Sequence, residues 1–358
     1  MDRLNQALAC IREDVRATKA YPVQSAVGLI KLDTMENPFR LSADLQRQLG
    51  ERLGAVAINR YPAERTQVLA AALAAHAGMP AGCGITLGNG SDEIITMLTM
   101  AVSRPGAKIL APLPSFVMYG ISARYQGLDF VGVPLTAEFE LDEAAMLAAM
   151  AEHRPALVYL AYPNNPTGNL WDAAVIERIV QAAPGLVVMD EAYQPFAARD
   201  SMGLLAKYAN VLVMRTMSKF GLAGVRIGYL IGQASLIAEI DKIRPPFNVG
   251  VLNAEAGLFA LEHAEVYAQQ AQVLRAERDK LLVALQALPG IAPFPSQGNM
   301  ILARVADAAR VFEAMKARGV LIKNVSAMHP LLANCLRITI GTAEENQAML
   351  AALKESLQ

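Results

Sequence analysis

The sequence is poor in the residues on which metal and disulfide chemistry depend. Its 358 residues include only three cysteines, four histidines and one tryptophan. Cys10, Cys83 and Cys335 are too few and too scattered for a disulfide framework or a CxxC metal site. His76, His153, His263 and His329 stand at no HxxxH spacing and beside no carboxylates at ligand intervals. A zinc site or a His-based nucleophile therefore has no support in the sequence. An excess of one charge is also missing. The 32 Lys and Arg against 33 Asp and Glu leave a net charge of -1, which provides no electrostatic footprint for nucleic acid or an anionic membrane.

Charged residues make up 18% of the chain and hydrophobic ones 54%, against averages of about 25% and about 45–50%. This composition excludes disorder. The high apolar content does not produce a membrane span. Residues 66–91 carry no Asp, Glu, Lys or Arg, but only Val68–Ala77 is helix-like, and Gly78, Pro80, Gly82, Gly84, Gly88 and Gly90 then interrupt the run. The N-terminal MDRLNQALACIREDVR is charged throughout and has no apolar h-region, so no secretion signal is expected and a soluble cytoplasmic protein is.

The length suggests two domains, given about 100–200 residues per domain. Short apolar runs at Lys108–Ala111, Leu157–Ala161, Leu186–Asp190, Val211–Arg215 and Ile227–Ile231 read as buried parallel strands. Amphipathic segments such as Ile94–Val102 and Trp171–Ala183 fall between them. This alternation predicts an α/β fold with a mostly parallel sheet covered by helices. After the turn-rich stretch from Arg244 to Gly250 the pattern changes to a long helical region reaching Leu288, a strand at Met300–Val305, a helix near Ala306–Arg318 and a strand at Leu336–Ile340. The expected division is an N-terminal segment 1–31 packing on the smaller domain, a large domain 32–244 and a smaller α+β domain 245–358.

Four segments fall at predicted strand ends: Gly88-Asn-Gly-Ser-Asp-Glu93, Tyr162-Pro-Asn-Asn-Pro-Thr-Gly168, Val188-Met-Asp-Glu-Ala-Tyr193 and Arg215-Thr-Met-Ser-Lys-Phe-Gly-Leu-Ala-Gly-Val-Arg226. Ligand sites of open α/β sheets lie beyond the carboxyl ends of the strands, so one ligand could touch all four. The Lys219 amine can condense with an aldehyde, and Asp190 is placed to supply a carboxylate to the ring nitrogen of an electron-sink cofactor. Ser91 is the expected N-cap of a helix whose start can hold a phosphate. Ser218 and Arg226 can add a hydroxyl and a guanidinium fork. Taken singly, each residue has an ordinary reading, as a surface lysine, a strand-end acid or a plain helix cap. Arg337 is unusual even alone, because a charge on a short apolar strand needs a partner.

Together with Leu32-Asp-Thr-Met-Glu-Asn-Pro-Phe39, Arg60-Tyr-Pro62, Pro112-Leu-Pro-Ser-Phe116, Gly298-Asn-Met-Ile301 and Leu336-Arg-Ile-Thr-Ile-Gly341, these segments resemble the class I/II aminotransferases of fold type I. The resemblance runs nearly end to end and implies pyridoxal 5'-phosphate as cofactor and a homodimer with shared active sites. It further implies Lys219 as the cofactor-bearing, proton-shuttling lysine, Asp190 at the ring nitrogen, and Tyr193 and Asn165 at the phenolic oxygen. Phe116 would stack on the ring where many relatives carry tyrosine. Ser91, Asp92, Thr216, Ser218 and Arg226 would surround the phosphate, with Tyr61 reaching it from the neighbouring subunit. On the substrate side it implies Arg337 at the anionic end, with Asn37, Asn165 and Tyr21 contributing. The implied reaction moves the amino group of L-histidinol phosphate to 2-oxoglutarate by a ping-pong cycle. Aromatic or other amino-acid transamination and phosphothreonine decarboxylation on the same fold are the alternatives. A non-enzymatic sensor is disfavoured, because no basic helix-turn-helix precedes Leu32. Three features depart from the common pattern: the spacing from Lys219 to Arg226 is one residue shorter than in many relatives, Met35 replaces a frequent asparagine, and Tyr21 is offset.

Overall fold

The computed structural model describes residues 2–18, 20 and 24–358; Tyr21 lies outside the described residues. The apolar runs assemble into a central seven-stranded sheet of β1 (Cys83–Gly88), β2 (Lys108–Leu113), β3 (Asp129–Pro134), β4 (Leu157–Ala161), β5 (Leu186–Asp190), β6 (Val211–Thr216) and β7 (Gly228–Gln233). Across the sheet the order is β1-β7-β6-β5-β4-β2-β3. β4 and β5 have the bounds expected from their apolar runs. Val187, Val188 and Met189 of β5 are wholly buried, and each contributes about 1.5–3 kcal/mol of transfer free energy.

One expectation is corrected. The run at Ile227–Ile231 forms β7, which is antiparallel to both β1 and β6, while the other neighbouring strands pair in parallel. The link from Thr216 to Gly228 is too short for the crossover that a parallel pair requires, so the chain must double back. No apolar run marks β1 or β3, although the placement of Gly88–Glu93 at a strand end points to the first. Gly84 and Gly88 interrupt the first, which is only half-buried over Cys83–Ile85, and Gly132 interrupts the second, where only Val133 is buried, so neither gives a continuous apolar signal.

A second sheet is antiparallel and contains β8 (Ile291–Pro293), β9 (Met300–Val305), β10 (Lys323–Asn324) and β11 (Cys335–Thr339), in the order β10-β11-β9-β8. Helices Ala264–Gln286 and Ala308–Ala317 pack with it, and Ala343–Ser356 packs on both of these helices. The last begins with a capping box in which Thr342 and Glu345 satisfy each other's backbone N–H groups. The helix Val251–Glu262 packs instead on Ala43–Gly54 and Ala63–Ala77. Ile30–Lys31 pairs in parallel with Val320–Leu321 beside the second sheet. Earlier in the chain, Arg12 donates to the carbonyls of Arg124 and Tyr125 at the end of the helix Met118–Tyr125. Among the described residues no helix is long and apolar enough to cross a membrane.

Candidate active site

The carboxyl ends of β1, β4, β5 and β6 open on a cavity of about 240 Å³. Its lining includes Ser91, Asp92, Phe116, Asn165, Asp190, Tyr193, Thr216, Ser218, Lys219, Arg226 and Arg337, so residues far apart in sequence meet as expected. Two expected residues lie elsewhere. Tyr61 is exposed and stacks on Phe247 with ring centroids 4.4 Å apart. Asn37 lies outside the lining and donates to Gln270 at 2.9 Å.

At one part of the cavity the helix Ser91–Ala101 begins. Its N-cap is Gly90 rather than the expected Ser91, with φ 83° and ψ 168°. That backbone suits glycine, and a Cβ there would also lie 2.5 Å from Arg226 Nη2. Ser91 thereby becomes the first helical residue, and the first-turn N–H groups have no acceptor within the helix. Arg226 reaches Ser218 Oγ with Nη1 and Asp92 Oδ2 with Nη2, each at 3.3 Å. Between Lys219 and Arg226 the chain makes a wide turn at Ser218–Leu222, with Gly221 at φ 143° and Arg226 itself at φ 55°. Thr216 Oγ1 donates to the Ile227 carbonyl at 3.0 Å and accepts from Ser218 N at 3.1 Å, which fixes both hydroxyls beside the guanidinium.

Asp190 ends β5. Its Oδ2 accepts from Tyr119 Oη at 2.6 Å and its Oδ1 from Ala192 N at 3.1 Å. Burial pushes the carboxyl up to about 6, opposed by these two hydrogen bonds and assisted by the charge of Asp92. Lys219 borders the cavity, and its amine donates to the Thr34 carbonyl at 2.7 Å. Burial, with help from Arg337, lowers the amine to about 8 against a partial offset from Glu36. A neutral, nucleophilic fraction therefore exists near neutral pH.

Arg337 is buried on β11. Nη1 donates to Asn165 Oδ1 at 2.6 Å and Nη2 to the Asp33 carbonyl at 2.7 Å. Asn165 Nδ2 in turn donates to Tyr193 Oη at 3.1 Å. Lys323, register partner of Arg337 on the adjoining strand, joins Lys219, Arg226 and Arg337 in the lining. Sequence reasoning missed Lys323 and Tyr119. The first lies on a two-residue strand, and the second reads as an ordinary core aromatic. The Pro112–Phe116 motif just before Tyr119 was the one available signal.

A lysine with a lowered pKa, a buried acid, a helix start beside Arg226 and the pair Arg337 and Lys323 thus share one cavity. The chain belongs to the class I and II aminotransferases, whose family pattern it matches over residues 28–353. It is 66% identical over 347 residues to the histidinol-phosphate aminotransferase of Methylibium petroleiphilum, covering 96% of this chain and 94% of that protein. It is 62% identical to that of an Acidovorax species, covering 98% of each. A solved histidinol-phosphate aminotransferase from Sinorhizobium meliloti, in complex with pyridoxal-5'-phosphate, matches at a TM-score of 0.82 with 25% identity over 97% of each chain. The fold is accordingly that of fold-type-I transferases.

Proposed function

We propose that the protein transfers the amino group of L-histidinol phosphate to 2-oxoglutarate, giving imidazole-acetol phosphate and L-glutamate in histidine biosynthesis, with pyridoxal 5'-phosphate as cofactor. The observation that carries this reading is the 66% identity across 96% of the chain to an enzyme of that name. The residues fit the cofactor. Asp190 is a buried carboxylate with two neutral donors, an arrangement that favours a cationic partner such as a protonated ring nitrogen. The start of helix Ser91–Ala101, with Arg226, Thr216 and Ser218, favours an anion such as the cofactor phosphate.

Bound at Lys219, the cofactor supplies an electron sink for charge left on the substrate α-carbon. Lys219 Nζ would take and return the proton at that carbon. Asp190 would hold the proton at the ring nitrogen, and Asn165, which donates to the Tyr193 hydroxyl, would hold it for the phenolic oxygen. Phe116 would cover the ring. Ser91, Asp92, Thr216, Ser218 and Arg226 would hold the phosphate. Arg337, with Lys323 beside it, binds the substrate's anionic end. Its planar fork can take a phosphate in one half-reaction and a carboxylate in the other. The stretch Leu32–Phe39, which contains Asn37, closes over the substrate.

The same reading makes the protein a cytoplasmic homodimer. The exposed Tyr61–Phe247 stack supports an intersubunit role for Tyr61. It also divides the chain into a cofactor-bearing unit at 32–244 and a smaller unit from the remainder of 245–358, with the boundary corrected at helix Val251–Glu262, which packs on the larger unit, and with 1–31 shared, since Ile30–Lys31 joins the smaller unit while Arg12 bonds to the larger. Purified protein supplied with pyridoxal phosphate, L-histidinol phosphate and 2-oxoglutarate should release glutamate. No glutamate under those conditions overturns the proposal, and CO₂ release from phosphothreonine would instead make the protein a decarboxylase.

A further inference from the structure

Tyr119 stands behind Asp190 in an arrangement that core packing alone does not require. Its ring is wholly buried in the helix Met118–Tyr125. It lies flat on Tyr159 of β4, with centroids 4.2 Å apart and planes 5° from parallel, and meets Phe116 edge-on at 5.7 Å. With the ring held from both directions, its hydroxyl has one hydrogen-bond partner among the described residues, Asp190 Oδ2 at 2.6 Å. A short bond from a neutral donor to a carboxylate favours the charged form of the acid. Burial drives Tyr119 itself well above the ordinary phenol range, so it acts as a fixed neutral donor. The other ionisable groups that influence this pair are Tyr159, Tyr193 and Asp92.

We propose that Tyr119 is a positioning residue that fixes the Asp190 carboxylate and keeps the proton of that contact on the cofactor's ring nitrogen rather than on the acid. The proposal rests on the pyridoxal-phosphate reading of the site. Only one proton changes place: it lies on the ring nitrogen, leaving Asp190 charged, or on Asp190, leaving the ring neutral. The first arrangement serves an electron sink and the second weakens it. By donating to the charged carboxylate, Tyr119 biases the exchange toward the first.

Two measurements test this in Tyr119→Phe, which removes only the hydroxyl. In the cofactor-free protein, an isotope-edited infrared titration with Asp190→Asn marking the band should place the Asp190 carboxyl about one pH unit higher than in the wild type. In the loaded protein, the ¹⁵N resonance of ring-labelled pyridoxal phosphate should move toward the unprotonated position. kcat should fall about tenfold with KM for the anionic substrates unchanged. 3-Fluorotyrosine at position 119, a stronger donor of nearly the same shape, should move both spectroscopic readouts the opposite way. An unchanged carboxyl titration, or an unchanged ¹⁵N position with kcat reduced, overturns the proposal. So does a shift in the same direction for both variants. A wild-type protein that does not hold pyridoxal phosphate at Lys219 overturns the functional reading and the ring-nitrogen clause with it. The infrared titration still decides whether Tyr119 sets the state of Asp190.

Discussion

Asn165 is the hydrogen-bonded link between Arg337 and Tyr193: Oδ1 accepts from Arg337 Nη1 at 2.6 Å and Nδ2 donates to Tyr193 Oη at 3.1 Å. One amide thereby joins the proposed substrate-anion residue to the proposed cofactor residue. Asn165→Ala should lower kcat/KM by about tenfold to a hundredfold, the equivalent of losing a hydrogen bond to a charged group. KM for the anionic substrate and the cofactor absorbance should both change, since the amide serves both sides. Steady-state kinetics and a pH titration of the visible spectrum check this, and a change in only one readout would show that the link carries no coupling.

Lys219 is the lysine that borohydride should mark. Reduction of the loaded protein followed by peptide mapping should place the cofactor mass on the peptide containing Lys219. Lys219→Ala should lose at least about a hundredfold in turnover, the usual contribution of a positioned acid-base group. Cofactor mass on another lysine would falsify the assignment.

Asp190 gives the cofactor-free protein a defined pH response. Its carboxyl is raised by burial from 3.8 to about 6, so between those values the folded state holds a proton that the unfolded chain has released. Stability therefore falls as pH rises through that window, and the full penalty remains above it. Asp190→Asn should raise the melting temperature of the cofactor-free protein at pH 7, and the advantage should close as the pH falls from about 6 to below 4. Transamination should collapse in the same variant. Melting curves across pH decide the first part, and a constant difference at every pH would contradict it.

Gly90 has two reasons to be glycine, its φ of 83° and the 2.5 Å approach of Arg226 to the position of a Cβ. Gly90→Ala should weaken binding of pyridoxal phosphate by about tenfold or more, because the guanidinium must leave the helix start. Pyridoxal without the phosphate should lose much less. Equilibrium binding with the two ligands separates a damaged anion site from a general distortion.

Tyr61 is 79% exposed and outside the cavity of its own chain. In a two-fold dimer with shared sites, mixing Tyr61→Ala with Lys219→Ala subunits rebuilds intact sites in the hybrids, up to about one quarter of the total. Activity in the mixture should exceed that of either parent. Sedimentation should show twice the 38.4 kDa chain. A mixture that only averages its parents would place Tyr61 outside the site.

Much of this architecture was legible because burial on both faces of a sheet leaves a plain mark. Leu157–Ala161 and Leu186–Asp190 are continuous apolar runs with a polar residue or turn directly after them, and their bounds are those of β4 and β5. The direction of β7 was less plain, since an apolar run reads the same in either direction and only the length of the preceding link argues for reversal. The site residues with reactive groups stood out through their motifs. Tyr119 and Lys323 did not, since the contact of Tyr119 with Asp190 spans 71 residues of sequence and the pairing of Lys323 with Arg337 depends on strand register. Long-range partners of this kind are fixed by tertiary packing, which no local pattern encodes.

The two carbonyls that hold Lys219 and Arg337 belong to consecutive residues, Thr34 and Asp33. Each side chain thus donates to a dipole on the same short piece of backbone. Because the two carbonyls are adjacent in the chain, an anion that draws Arg337 away from Asp33 should also alter the hold of Thr34 on Lys219.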